Sequence, residues 1–206
     1  MMLQSLIALA EREGLMDDPD FVWQPVGYLV RVGEGGKLLG ISSTYAEIPD
    51  PKGRRKPRRQ AKLLRVPREP TRTSGDRANF LIDKAEYVFG IDPAGKRPAK
   101  KLANRFRLFR ERVAECARAT RDEGVEAVAS FLDDLAAGRQ QVELPEECTA
   151  NDLFAFVYDL ETLPINQRPA VRAYWQAQRL PTVHDPECER TCLVTGERTL
   201  PAELHQ

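Results

Sequence analysis

Five prolines, Pro49, Pro51, Pro57, Pro67 and Pro70, punctuate one basic stretch of this chain. Proline has no backbone N–H, and its ring fixes φ, so the stretch can be neither a helix nor a central strand. Only Lys62 to Val66 leaves room for a short strand at an edge. The rest of the chain must therefore fold around an irregular segment with an unusual charge. Nine basic residues lie between Lys52 and Arg68, with no acid among them. Past Pro70 comes a small-residue patch, Thr71 to Gly75, and then an apolar run, Phe80 to Ile82. Two readings fit this order. One is a flexible basic linker in which Thr73 or Ser74 caps a turn and Asn79 bonds local backbone. The other is a loop that grips a polyanion and is anchored in the core at its far end.

The flanking sequence supplies a core. The first fourteen residues place Leu3, Leu6, Ile7 and Ala10 on one helical face, ending at Gly14. "PVGYLVRVGEGGKLLGIS" reads as a hairpin, with its turn at Gly33 to Gly36 and its return strand through Leu38, Leu39 and Ile41. "ANFLIDKAEYVFG" predicts a short strand or turn at Phe80 to Ile82, then one helical turn closed by Gly90. After Pro98 the spacing of Leu102, Phe106, Phe109, Val113, Cys116 and Thr120 predicts an amphipathic helix. On that stripe Cys116 is a small core residue, not a nucleophile. A second helix is expected over Val125 to Ala137, closed by Gly138. "LFAFVYDL" predicts a strand with Phe154, Phe156 and Tyr158 on one face. Pro169 opens a further helix through Tyr174 and Trp175. Helices and strands with an antiparallel hairpin predict an α+β fold. The expected order is an N-terminal helix, a small antiparallel sheet carrying the basic loop, a helical region and a further strand. Residues 1–95 form the β-rich region, with the loop at 50–79, and residues 96–206 the mainly helical support.

The formal net charge is zero, with 31 basic and 31 acidic residues, but the charges are segregated. Lys96 to Arg121 carries ten bases against Glu111 and Glu115, whereas Asp122 to Glu161 carries eleven acids and the single base Arg139. Such asymmetry suits one face for a polyanion and another for solvent or a protein partner. No apolar run reaches the roughly 18–20 residues of a membrane helix, and the N-terminus lacks the form of a signal peptide. Four scattered cysteines build no disulfide framework, so a soluble protein of a reducing cytoplasm is expected.

Catalytic signals are weak. His184, Cys188, Cys192 and His205 are zinc-type ligands, but their spacing fits no standard finger, and structural roles are the simpler expectation. Asp83, Glu86 and Asp92 near Lys84 and Lys96 resemble parts of a nuclease centre, yet nothing in the sequence makes them converge on a metal. Gly-x-Ser-x-Gly, Gly-x4-Gly-Lys-Ser/Thr and His-Glu-x2-His are all absent. The expectation is a non-catalytic chain without cofactor or metal.

Three stretches together are more specific. "LQSLIALAEREG" near the start, "RTSGDRANFLIDKAEYVFGID" in the middle, and "CLVTGE" with "LH" near the end resemble the large subunit of the type I-C CRISPR surveillance complex, Cascade. The central pattern is held by Arg72, Thr73, Ser74, Gly75, Asn79, Phe80 to Ile82, Asp83, Tyr87 and Gly90. The resemblance implies a longer chain, so that Gln206 is expected to end a fragment comprising an N-terminal domain. The basic run Lys52 to Lys62 is richer than the resemblance implies.

The resemblance also implies a role. Such a domain recognises the protospacer-adjacent motif on double-stranded target DNA and helps open the duplex for guide RNA. It works beside crRNA-containing Cascade subunits and helps dock a helicase-nuclease, in a prokaryotic cytoplasm and away from membranes. The protein reads a short motif, and base pairing reads the rest. Arg72, Thr73, Ser74, Gly75, Arg77 and Asn79 are then the expected first-rank DNA contacts. Lys52, Arg54, Arg55, Lys56, Arg58, Arg59 and Lys62 form a phosphate-holding arm. Lys96, Arg97, Lys100 and Lys101 are second-rank contacts. The alternative is an assembly module contacting crRNA or neighbouring subunits without reading a motif.

Overall fold

The computed structural model describes residues 18–49, 57–72 and 75–179, with the short pieces 5–6, 9, 190–191 and 198–199. Ten strands and four helices follow in chain order among these. They are β1 (Phe21–Val26), β2 (Tyr28–Val32), β3 (Leu38–Ser43), β4 (Ala46–Ile48), β5 (Arg58–Gln60), β6 (Lys62–Pro67), β7 (Ile82–Lys84), α1 (Ala85–Val88), α2 (Ala99–Thr120), α3 (Glu123–Ala136), β8 (Leu153–Tyr158), α4 (Pro169–Arg179), β9 (Arg190–Thr191) and β10 (Arg198–Thr199). The fold is α+β, as the sequence predicts. Ser5, Leu6 and Leu9 of the expected N-terminal helix are helical; the rest of that segment lies outside the described residues.

The central sheet has the order β3-β2-β8-β7. The β2–β3 hairpin forms where the sequence places it, closed by a short 3-10 turn at Glu34–Gly36. The sheet is mixed, not purely antiparallel, because β8 enters from 120 residues downstream and lies parallel to β2. Only a crossover through the helices allows that pairing.

This position explains β8's composition. Phe154 and Phe156 face the helices, where Phe156 meets Phe109 and Phe131 at ring separations of 6.3 and 6.2 Å. Phe154 stacks on Tyr28 at 5.1 Å. Ala155 faces the other way and joins Val26, Leu64, Val66 and Ile82 in a second cluster. The expected one-sided alternation is therefore correct for the aromatic face, but both faces are covered. A β1–β6 ribbon seals the side opposite the helices, and the small Ala155 belongs to the cluster it forms there. Each buried phenyl ring contributes roughly 1.5–3 kcal/mol.

The helices follow their sequence signals closely. On α2, Phe109, Val113, Cys116 and Ala117 are buried; burial pushes the Cys116 thiol up to about 12. Asp122 caps α3 by accepting from the N–H groups of Gly124 (3.0 Å) and Val125 (3.2 Å), a stabilisation of about 1 kcal/mol. Its other oxygen receives Arg168 Nε at 2.8 Å. On α4, Trp175 stacks on Phe80 at 5.2 Å and donates its indole N–H to the Asp20 carbonyl.

The basic segment departs from expectation at one point. Besides β6, where a strand is predicted, Arg58–Gln60 pairs antiparallel with Ala46–Ile48. Both ribbons are two-stranded, so Pro25 and Pro67 sit in strands that have an open side.

The 3-10 turn docks on α3 so tightly that backbone freedom is required. Gly35 and Gly36 have φ of +66° and +82°, and a Cβ on Gly36 would come within 2.4 Å of the Phe131 nitrogen, whereas one on Gly35 meets nothing within 4 Å. Gly35→Ala should therefore cost only the left-handed strain of roughly 1–2 kcal/mol. Gly36→Ala should cost clearly more, because backbone must also move. Urea unfolding midpoints of the two variants check this order.

Candidate nucleic-acid interface

The loop between β6 and β7 is held from beneath by buried carboxylates. Asp83 lies in the middle of β7 with no solvent exposure. Its side chain pairs with the Arg72 guanidinium and accepts the N–H of Asn79 at 2.7 Å and that of Lys84 at 2.8 Å. Leu81, with φ of +60°, turns the chain between them. Burial pushes the Asp83 carboxyl up, against Arg72 and the two N–H groups that pull it down. Arg72 also lies over the Tyr87 ring, 4.2 Å from its centroid.

Three more acids complete the clasp. Glu69 accepts from the Phe80 N–H and from Arg112 Nη1, both at 2.7 Å, and Arg112 also reaches the Ala78 carbonyl. Asp76 accepts from Arg105 Nε at 2.8 Å and from Asn104 at 3.3 Å. Glu86 accepts from Arg97 Nε at 2.8 Å and pairs with Arg105. Every one of the Arg97, Asn104, Arg105 and Arg112 donors lies on α2 or just before it. The described loop residues Glu69, Asp76 and Ala78 are thus tied to that helix.

The candidate residues fall into distinct environments within this frame. Gly75 adopts φ of +75° and faces open space. Arg77 is exposed, with Glu69 as a distant partner at 3.6 Å. The Asn79 side chain makes no hydrogen bond among the described residues, although its backbone is fixed. Arg72 is largely internal, bound to Asp83. Lys96, Lys100 and Lys101 are exposed and have no ion-pair partner among the described residues, while Arg97 is held by Glu86. The loop and the start of α2 are therefore adjacent, as the Asp76 contacts require. Thr73 and Ser74 lie outside the described residues, as do Lys52, Arg54, Arg55 and Lys56.

The basic arm joins this surface through residues 147–152. Arg59 lies 3.9 Å from the Tyr45 ring centroid and reaches Glu147 at 2.8 Å and the Tyr28 hydroxyl at 3.4 Å. Tyr45 is bonded in turn to Asp152 and its hydroxyl is pushed up to about 12, by burial first and then by that carboxylate. Next to Asp152, Asn151 accepts from Lys84 Nζ at 3.1 Å and lines a cleft of about 220 Å³ with Arg72, Gly75, Tyr87, Arg97 and Arg105. Arm and loop thus flank one short segment. Arg58 and Lys62 remain exposed, with no ion pair among the described residues.

The carboxylates considered for a nuclease do not converge. Asp83 and Glu86 serve separate arginines, and Asp92 accepts the N–H groups of Ala94, Lys96 and Arg97. Among the described residues no three His, Cys, Asp or Glu side chains come together as metal ligands. His184, Cys188, Cys192 and His205 lie outside the described residues.

Sequence reasoning missed the scaffold under the loop: Glu69, Asp76, Arg105 and Arg112. A signal was present. Arg105 and Arg112 occupy the same helical phase as Leu102 and Phe109, where a charged side chain must find a buried acid. The acidic region is also less free than its charge suggests. Asp122, Asp133, Asp134, Glu147 and Glu161 each hold an arginine.

The family described as CRISPR-associated protein (Cas_Csd1) matches residues 6–206. No curated protein matches the chain.

Removing Asp83 should unfold the clasp from its centre. Asp83→Ala is expected to cost roughly 3 kcal/mol or more, since Arg72 loses its buried partner, whereas exposed Arg77→Ala should stay within about 0.5 kcal/mol. Denaturant titration separates them. The Arg105 guanidinium, opposed by partial burial, holds the Asp76 carboxyl below its usual value of 3.8. The unfolded chain then takes up that proton first as pH falls, so stability present above 3.8 is lost as pH drops through the lower folded value. Asp76→Asn should flatten this acid limb in stability measurements across that window.

Proposed function

The chain belongs to the CRISPR-associated Cas_Csd1 family, and from that premise we propose that it is a non-catalytic DNA-binding subunit of a type I-C Cascade complex. In this reading it recognises a protospacer-adjacent motif in double-stranded target DNA and helps start unwinding for guide RNA. One observation supports it above others: the described loop backbone is bonded from below to carboxylates, while exposed Gly75 and Arg77 and the half-buried Asn79, whose side chain makes no hydrogen bond among the described residues, lie next to the start of a helix. That helix start carries three exposed lysines that have no ion-pair partner among those residues. A reading head needs that division. Its position must be fixed by groups that do not touch DNA, so that the few that do can discriminate.

The roles follow from chemistry. Lys96, Lys100, Lys101, Arg58 and Lys62 neutralise phosphates, which gives affinity without sequence preference. Arg77 can fork onto a guanine edge, and Asn79 can pair with adenine or wedge at a step. Gly75 lets a strand approach the backbone closely. Arg72 changes rank: bound to Asp83, it positions the loop instead of contacting DNA. Thr73 and Ser74 keep their proposed phosphate contacts, and Lys52, Arg54, Arg55 and Lys56 extend the arm. The crRNA-bearing subunits and a recruited helicase-nuclease are the proposed partners.

The test is a duplex titration at two salt concentrations with a motif-bearing and a scrambled sequence. Five phosphate contacts predict a log–log slope of roughly −4.5, hence about a hundredfold weaker binding for a threefold rise in salt. Neutralising Lys100 and Lys101 together should reduce the slope by about 1.8 without altering preference. Asn79→Ala or Arg77→Ala should remove the preference and leave most affinity. Salt-sensitive binding without preference, or binding to RNA over duplex, would favour the assembly role.

A further inference from the structure

The β1–β6 ribbon has two faces of opposite character. Its inner side chains, Val26, Leu64 and Val66, are buried against Ile82 and Ala155. Its outer face is formed by cross-strand pairs, Trp23 with Arg65 and Pro25 with Leu63, which point to the same side. Trp23 is 57% exposed and Leu63 49%. The Arg65 guanidinium lies 5.8 Å from the Trp23 ring centroid, within reach of a cation–π attraction. Asn166 and Gln167 both donate to the Arg65 carbonyl, at 2.8 and 2.7 Å, so the strand under that side chain is tied to the body of the protein. The other tryptophan, Trp175, is only 3% exposed.

We propose that this outer face is a stacking platform for an unpaired nucleobase, with Trp23 beneath the base and Arg65 beside it. Three features select this occupant. A broad aromatic face held on a rigid ribbon matches the π-face that every base shares, and it gives affinity without sequence preference. The strands FVWQPV and KLLRVP carry no carboxylate, and exposed Arg58 just before β6 adds a cation, whereas Arg59 is held by Glu147. A duplex keeps its bases stacked inside, so the platform suits a single strand, whether DNA or RNA. A protein anchor would use the same apolar area, and the assembly outcome below separates it from a base. The platform lies on the β1–β6 ribbon and not on the Arg72–Asn79 loop; it shares Arg58 with the proposed duplex phosphate contacts, but the inference goes beyond the motif reading without depending on it.

The test uses the full chain with fluorescein-labelled oligothymidylate and oligouridylate of roughly 15 nucleotides, read by anisotropy and by tryptophan emission. Wild type should bind with quenching of the exposed Trp23 signal. Trp23→Ala should weaken single-strand binding about ten- to a hundredfold, while duplex affinity stays unchanged. Trp23→Phe should keep most of the binding but lose the quenching, since only buried Trp175 then emits. Comparing the two oligomers assigns the strand to DNA or RNA. Unchanged single-strand affinity in Trp23→Ala, binding without quenching, or an equal loss for duplex would each overturn the proposal. Normal oligonucleotide binding by Trp23→Ala with failed assembly onto partner subunits would also overturn it, and would make the face a protein interface. Loss of motif preference in duplex titrations, with these results intact, would count against the motif reading alone.

Discussion

A single buried carboxylate governs the loop that this fold displays. Asp83 is fully enclosed, and charge in that position is tolerable only with partners at hand. Arg72 and two backbone N–H groups supply them. Because Arg72 stands eleven residues upstream and Asn79 four, satisfying one side chain fixes both ends of the loop at once. Of the described residues between them, Gly75 and Arg77 stay exposed while Ala78 enters the core.

The same economy operates at the level of layers. β8 has neighbours on both edges and cover on both faces, and its aromatic and small residues alternate to suit. Phe154 and Phe156 fill the helix side, and Ala155 sits at the ribbon side. β7, which carries Asp83, pairs directly with β8. The loop's anchor is thus bonded to the most constrained strand of the sheet. A displacement of the loop by bound nucleic acid would have to be transmitted through that pairing.

Much of this was legible in the sequence, for identifiable reasons. The hairpin at Gly33–Gly36, the amphipathic α2 and the strand at Leu153–Tyr158 each carry a periodic signal that depends only on nearby residues. The parallel β2–β8 pairing does not, because register between strands 120 residues apart is decided by packing, not by local pattern. β5 was hidden for a related reason: Arg58–Gln60 has no apolar alternation, and its contacts, with Ala46–Ile48, Tyr45 and Glu147, are all distant in sequence. At the candidate site, the pattern Arg-Thr-Ser-Gly to Asn and Asp marked out the loop between β6 and β7. It did not separate positioning residues from outward ones, since Arg72 and Arg77 look alike until Asp83 is seen beneath the first.

That distinction accounts for a chain of zero net charge with a positive edge. Of the ten bases from Lys96 to Arg121, Arg97, Arg105, Arg107, Arg110 and Arg112 are each engaged with an acid. The acids so used are spread over residues 69–133, and each removes one base from the outward count. All five paired bases are arginines, whose planar bidentate geometry suits carboxylates; Arg105 and Arg112 reach inward, while Arg107 and Arg110 pair at the surface. The compact, strongly hydrated ammonium groups of Lys96, Lys100 and Lys101 stay in water at the start of α2. An overall balance of charge thus coexists with local excess, and the excess is placed beside the loop because the arginines that clamp the loop come from the same helix.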